Sequence, residues 1–386
     1  MPSLLKKAVL RLKRLIYLML PPIVYEFLKK ILFYSIKKIN LTRRDKSIQR
    51  VAMFLVGGFG DIVIFAKVVE QLRDRFACEI EVYSEPYAHE YLGAIFYKWP
   101  RIKICDKNKC RYYHFLTVKY DVSMTLSHSI RIDFVNNSRL RKYCPELLEA
   151  VTLINKHNDN MALSSMWDYA MIFKRNEVLG LNRYTEFNYG GVFRCDDKKV
   201  NIYLDDTYRV HFLGLGLAKY ITVNTGSGSD SNISSKLHAK KWPVYRYEEY
   251  IALIKKKYPD IMVVQVGVSS DLKIKGVDRY IIDGHLEILK WVLKNSMLHT
   301  DCESGLVFLA TQMGTKCAAL FGPSPMWMFA YEQNININSG ECPWCQNARH
   351  DALRVCIRGL EKPICMDSIT GAMVAEAVDS VLNLQT

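Results

Sequence analysis

The apolar run "VAMFLV" at 51–56 meets a glycine turn and then a stretch with helical spacing. Over 61–76, Ile62, Phe65, Ala66, Val69 and Leu72 share one face, and Lys67, Glu70, Arg73 and Asp74 share the other. That is the pattern of an amphipathic helix laid on a core. "EIEVYS" at 79–84 alternates like a strand, and "YDVSMTL" at 120–126 offers a further one. Strand, glycine turn, helix and strand make a βαβ unit. Residues 135–195 are polar, rich in Tyr and Asn, and without a clean period, so no element is assigned there.

The pattern restarts near residue 207. Strands are expected at 261–267 and 316–324, with a strand ending in a small-residue loop over 219–230 and a strand entering a loop at 297–305. Helices are expected at 245–259, 285–296 and 306–314. These form a second α/β unit. The expected fold is two such halves facing a cleft.

Charge changes this picture at one end only. Of the 386 residues, the first 50 hold 13 Lys and Arg against Glu26 and Asp45, a net of +11 out of +14. The body is therefore close to neutral, which argues against a nucleic-acid-binding core. The arm interleaves its charges with apolar residues. Its longest uncharged run, Leu15 to Tyr25, is 11 residues and contains Pro21-Pro22, whereas a spanning helix needs roughly 20. No small-residue cleavage site follows it. Two short basic amphipathic helices on an anionic membrane face are expected, with an extension docked on its own domain as the alternative. The 11 cysteines come without a secretion signal, so reduced thiols in a cytoplasmic setting are expected.

Four motifs carry candidate chemistry. In "GGFGD", 57–61, Gly58 and Gly60 supply half of a dinucleotide fingerprint, but the third glycine position is Val63 and the turn ends in Asp61. An aspartate at a helix start competes with phosphate for the same backbone N–H groups and adds like charge. Two readings stand: Asp61 is only the helix cap, or it is a carboxylate held where the first strand opens onto a ligand crevice. The second motif, "NTGSGSDSNISSKLHAKKWP" at 224–243, is a hydroxyl-rich loop around Thr225, Gly226 and Ser227, followed by lysines. Small residues let backbone amides approach phosphate, and lysine adds point charge. The third is Glu303-Ser304-Gly305. At a strand-to-helix turn, its amides can bind anions and its carboxylate can accept sugar hydroxyls. The fourth is Cys342-x2-Cys345 with Cys356 and Cys365. This set leaves open a structural zinc or iron site, free thiols, or a regulated thiol pair.

Together "GGFGDIVIFAKVVEQLR", "ITVNTGSGS…KKWP", "CESGLVFLATQMGTKCAALFGPS" and "CPWC…C…CM" resemble the glycosyltransferase family 9 enzymes, of the ADP-heptose:lipopolysaccharide heptosyltransferase type. The resemblance implies an α/β GT-B-like fold, two Rossmann-like domains facing a central cleft, with the basic amphipathic extension ahead of them. It divides the chain into the arm at 1–50, an acceptor-side domain at 51–205, a donor-binding domain at 206–372 carrying the cysteine cluster, and a terminal helix at 373–386. It puts Asp61 in the place of the catalytic base, beside Gly58 and Gly60, which would leave room for an acceptor sugar. Lys241 falls on the lysine that contacts donor phosphate. Glu303, Ser304 and Gly305 fall on the family's Asp-Thr-Gly, with Glu303 replacing aspartate and Phe308 replacing histidine. Asp271 is a candidate for the nucleotide ribose.

The implied reaction is inverting transfer from a nucleotide-diphosphate sugar, an ADP-sugar first among them, without a catalytic metal. The acceptor would be a lipopolysaccharide or other lipid-linked glycan, on the inner face of the cytoplasmic membrane. Hexosyl or N-acetylhexosaminyl transfer, a non-catalytic sugar-nucleotide-binding protein and a metal–thiol protein are the alternatives.

Overall fold

The computed structural model describes residues 49–384 apart from 111, 161–168, 189–190, 226–238, 347, 349–352 and 354. The basic arm and the Gly226–Ser227 loop lie outside the described residues. Among the described residues no helix is long and apolar enough to cross a membrane.

The first sheet contains β1 (Arg50–Leu55), β2 (Glu79–Ser84), β3 (Ile102–Ile104), β4 (Val122–Leu126) and β5 (Ile130–Val135), in the order β3-β2-β1-β4-β5. β1 pairs parallel with both neighbours, Val51 facing Ile80 on one side and Val122 on the other. That central place explains its unbroken apolar run: Val51 to Leu55 are buried on both faces. β5 returns antiparallel to β4. Helix α1 (Phe59–Phe76) follows the glycine turn, and α2 (His89–Phe96) follows β2.

The stretch without a sequence period holds two longer helices, α3 (Pro145–Asn160) and α4 (Tyr169–Leu179). It leads into the second sheet. There β6 (Tyr220–Val223), β7 (Met262–Gly267), β8 (Arg279–Ile282), β9 (His299–Cys302), β10 (Cys317–Leu320) and β11 (Ile335–Ile337) run parallel in the order β11-β10-β9-β6-β7-β8. Helices α5 (Val244–Lys257), α6 (Leu286–Lys294), α7 (Gly305–Gln312) and α8 (Gly371–Asn383) accompany it. Both units are parallel-sheet Rossmann-like folds, as expected.

The two units touch where α1 and α7 begin. A Cβ on Gly305 would lie 2.9 Å from Phe59 Cβ and 3.0 Å from Gly60 N, and one on Gly60 would lie 3.3 Å from Phe308 Cδ2. Gly60 was expected to make room for an acceptor. It lines the cavity and also approaches the other domain, where an added Cβ would crowd the Phe308 ring and the Gly305 backbone. The apolar cluster continues across this contact, from Phe65 and Val68 to Phe308 and Leu309. The approach fixes the spacing of the two helix starts that border the cleft.

Candidate active site

A cavity of about 1310 Å³ opens where the carboxyl ends of the strands in both sheets meet; it is lined by residues that follow β1, β4, β6, β7, β8 and β9. This is where parallel α/β sheets hold ligands.

Asp61 stands on the first wall. It is the third residue of α1, and its Oδ2 accepts the Gly58 N–H at 3.0 Å. The carboxylate folds back over the turn so closely that a Cβ on Gly57 would lie 2.5 Å from Asp61 Oδ2. Oδ1 accepts Arg183 Nη2 at 3.0 Å, and the Asp61 side chain stays 33% exposed. Asp61 is thus not the N-cap, which is Gly58; from the third helical position its carboxylate closes the turn and also lines the cavity.

Nothing in the sequence pointed to Arg183. Its side chain is 1% exposed. It ion-pairs through Nη1 with Glu186, itself fully buried. Nη2 also donates to Ser127 O at 3.2 Å, and the guanidinium lies 5.3 Å from the ring centres of both Phe65 and Phe187. Glu186 accepts Asn176 Nδ2 at 2.7 Å. The Arg183 backbone N–H donates to Met328 O, 2.9 Å away in the second unit. A buried guanidinium keeps its charge only with such partners. His128 lies beside this group, 3.7 Å from Glu186. Burial, with Arg183 and Arg175 adding like charge, pushes its imidazole well below the usual histidine range. It is therefore neutral.

The second wall carries Glu303, Ser304 and Gly305 between β9 and α7. Ser304 caps α7 through the Val307 N–H and donates to buried Asp301 at 2.5 Å. Burial raises the Asp301 carboxyl above its ordinary value. Glu303 is 5% exposed and pairs with Lys240 Nζ at 2.6 Å. Burial alone would lower the Lys240 ammonium, but Glu303, with Cys302 and Asp61 adding to the field, holds it above the usual lysine range. Asp61 thus lies within electrostatic reach of this pair.

Lys240, and not the expected Lys241, lines the cavity. The two neighbouring lysines diverge as the chain enters buried Trp242, whose indole N–H donates to Ile369 O at 2.8 Å. Thr225 is not part of the cavity wall: its hydroxyl is used on Leu272 O at 2.9 Å. Its neighbour Asn224 lines the wall instead and donates to Val266 O at 2.7 Å. Asp271 does reach the cavity, on a turn that its own carboxylate closes with the Val268 N–H at 2.9 Å. Phe308 is buried, with its ring edge-on to Tyr331.

No family model matches this sequence, and no curated protein matches it either. Solved structures do match in shape. The bacterial iron-containing dodecameric glycosyltransferase TibC from enterotoxigenic E. coli superposes with a TM-score of 0.59 at 14% identity, over 89% of this chain and 78% of that one. E. coli ADP-heptose lipopolysaccharide heptosyltransferase II gives 0.54 at 15% identity, over 87% and 99%. A glycosyltransferase family 9 protein from Veillonella parvula gives 0.54 at 13% identity, over 89% and 100%. The chain shares their GT-B-type fold.

The cysteine segment hangs beside this site. Cys345 and Gln346 both donate their backbone N–H to Pro323 O at 3.0 Å. That carbonyl belongs to the turn after β10. Burial pushes the Cys365 thiol up to about 12, and Cys342, Cys345 and Cys356 add to the shift, so the four sulfurs share one neighbourhood. Among the described residues, however, no group of three or more His, Cys, Asp or Glu side chains converges as a metal site.

Proposed function

We propose that this chain is an inverting glycosyltransferase. It would move a sugar, heptose foremost, from an ADP-sugar to a hydroxyl of a lipopolysaccharide or other lipid-linked glycan. One observation carries the reading: a part-exposed carboxylate at the start of a helix on one wall of the interdomain cavity stands across from a lysine, paired with buried Glu303, on the other.

A sugar hydroxyl is a poor nucleophile at neutral pH, and a carboxylate in hydrogen-bond reach removes its proton as the new bond forms. Asp61 would take this proton, and its contact with Arg183 at 3.0 Å would hold its orientation. The hydroxyl oxygen attacks the anomeric carbon, the bond to the diphosphate breaks, and the nucleoside diphosphate leaves with the electron pair. A single displacement inverts the anomeric centre. Lys240 and the amides at the start of α7 meet the charge that grows on the leaving group. With that charge met by the protein, this route calls on no divalent metal. Glu303 holds Lys240 in the cleft until the diphosphate arrives. Asp271 lies on the side where a ribose would lie.

TibC, which has this fold, has been determined with ADP-D-β-D-heptose, and this supports the choice of donor. TibC is also described as iron-containing. Here Cys342, Cys345, Cys356 and Cys365 are the residues that would hold iron or zinc; thiols are a soft donor type suited to either, and the four would have to draw together to bind it. Such an ion would brace the segment beside the cleft and has no part in the transfer.

The basic arm would hold the enzyme at the inner face of the cytoplasmic membrane, where lipid-linked acceptors lie. A turnover assay over ADP-, UDP-, GDP- and CMP-sugars tests the donor. Release of ADP that depends on an acceptor is expected, and turnover of another nucleotide sugar alone would refute the ADP assignment. Removing residues 1–45 tests the arm: the protein should leave the membrane fraction, and an unchanged membrane fraction would refute the placement.

A further inference from the structure

Gln346 lines the cavity and is only 8% exposed, and its carboxamide oxygen has no hydrogen-bond partner among the described residues. A buried side-chain amide is normally paired, so an unpaired one on a cavity wall marks a place where a ligand completes the bonding. The backbone makes the position deliberate. Gln346 and Cys345 both hang from Pro323 O at 3.0 Å, and Ala348 N–H closes the turn on Cys345 O at 3.0 Å. Behind them, Gly322 is packed so that a Cβ would lie 3.2 Å from Cys365 Sγ. Trp344 meets Trp327 edge-on, with ring centres 5.8 Å apart. The cysteine segment thus sets one polar side chain, directly after Cys345, on the edge of the cleft.

The strand order says which part of a donor that side chain meets. Along the edge of the second sheet, β10, β9, β6 and β7 follow one another. Gln346 hangs from the turn after β10, the Lys240–Glu303 pair stands after β9, and Asp271 stands after β7. Neighbouring strands are about 4.8 Å apart, so β10 and β7 are separated by about 14 Å. A nucleotide sugar lying along this edge with its ribose near Asp271 and its diphosphate at Lys240 extends its sugar toward β10.

We propose that Gln346 is a donor-binding residue that hydrogen-bonds a hydroxyl of the transferred sugar, and that the cysteine segment positions it. Rotation of the terminal amide presents either its oxygen or its nitrogen, so one residue can accept from or donate to a sugar hydroxyl. This assignment rests on the glycosyltransferase reading above.

The test titrates the full-length protein and its Gln346→Leu and Gln346→Asn variants with ADP and with ADP-heptose by calorimetry. Both variants should bind ADP within twofold of the parent, which also shows that the site is folded, and should bind ADP-heptose at least tenfold more weakly. Cys345→Pro, which removes one of the two N–H groups that Pro323 O accepts, should give the same selective loss. Unchanged ADP-heptose affinity in the Gln346 variants, or an equal loss of ADP and ADP-heptose, would overturn the proposal while leaving the glycosyltransferase reading standing. A parent protein that binds neither ligand would overturn both.

Discussion

Asp61 and Glu303 occupy the same kind of place, just after a parallel strand and at the start of a helix, on opposite walls of one cleft. Asp61 keeps a third of its side chain in solvent, and its partner is a guanidinium sealed inside its own domain. Glu303 is almost fully buried and pairs with a lysine that faces the same cavity. In the proposed reaction the first carboxylate would take a proton, and the second would neutralise a cation that a phosphate later claims. Residue type and local turn are alike; burial and the origin of the partner charge set the difference.

The largest effect should come from disabling the open carboxylate. Asp61→Asn preserves size and the contact with the Gly58 N–H but removes the base, and kcat for transfer should fall by about 10²–10⁴-fold. Next is the charge behind it. Arg183→Met leaves Glu186 buried and unpaired, which should cost about 3–5 kcal/mol of stability in a denaturant titration. The same change at a surface arginine should cost under about 0.5 kcal/mol. On the other wall, Lys240→Met should lower kcat by about 10²–10³-fold, whereas Lys241→Met should stay within about twofold, since Lys241 is not among the residues lining the cavity. Equal losses at the two lysines would erase the distinction drawn here between them.

The smallest effect concerns pH. Buried His128 titrates below its unfolded value of 6.5. The folded state then binds fewer protons than the unfolded one, so its contribution is present above pH 6.5 and is lost as pH falls below it. Each unit of acidification below that point costs up to about 1.4 kcal/mol. His128→Phe should flatten the fall in melting temperature between pH 6.5 and 5. An equally steep fall in the variant would assign the dependence to another group.

How far the sequence disclosed this site follows from the range of each interaction. β1, the glycine turn and α1 were legible because their signals lie within about 25 consecutive residues: an apolar run, small residues and a helical period. Asp61 was legible for the same reason, and so was the place of Glu303, Ser304 and Gly305. Arg183 was not, because it reaches Asp61 from 122 residues away, out of a stretch with no period. Lys240 and Lys241 are chemically identical neighbours. Which one enters the cleft shows only in its pairing with Glu303, 63 residues on, and that is a tertiary fact. The contact of Gly60 with Gly305 was not legible either, because that neighbour belongs to the other domain.

The division of labour between the walls has one direct test. ADP-heptose titrated into Asp61→Asn by calorimetry should bind with the affinity of the parent protein, because Lys240, Glu303 and the start of α7 are intact, although the same variant transfers almost nothing. Loss of donor affinity in Asp61→Asn, or transfer at the parental rate, would contradict the account.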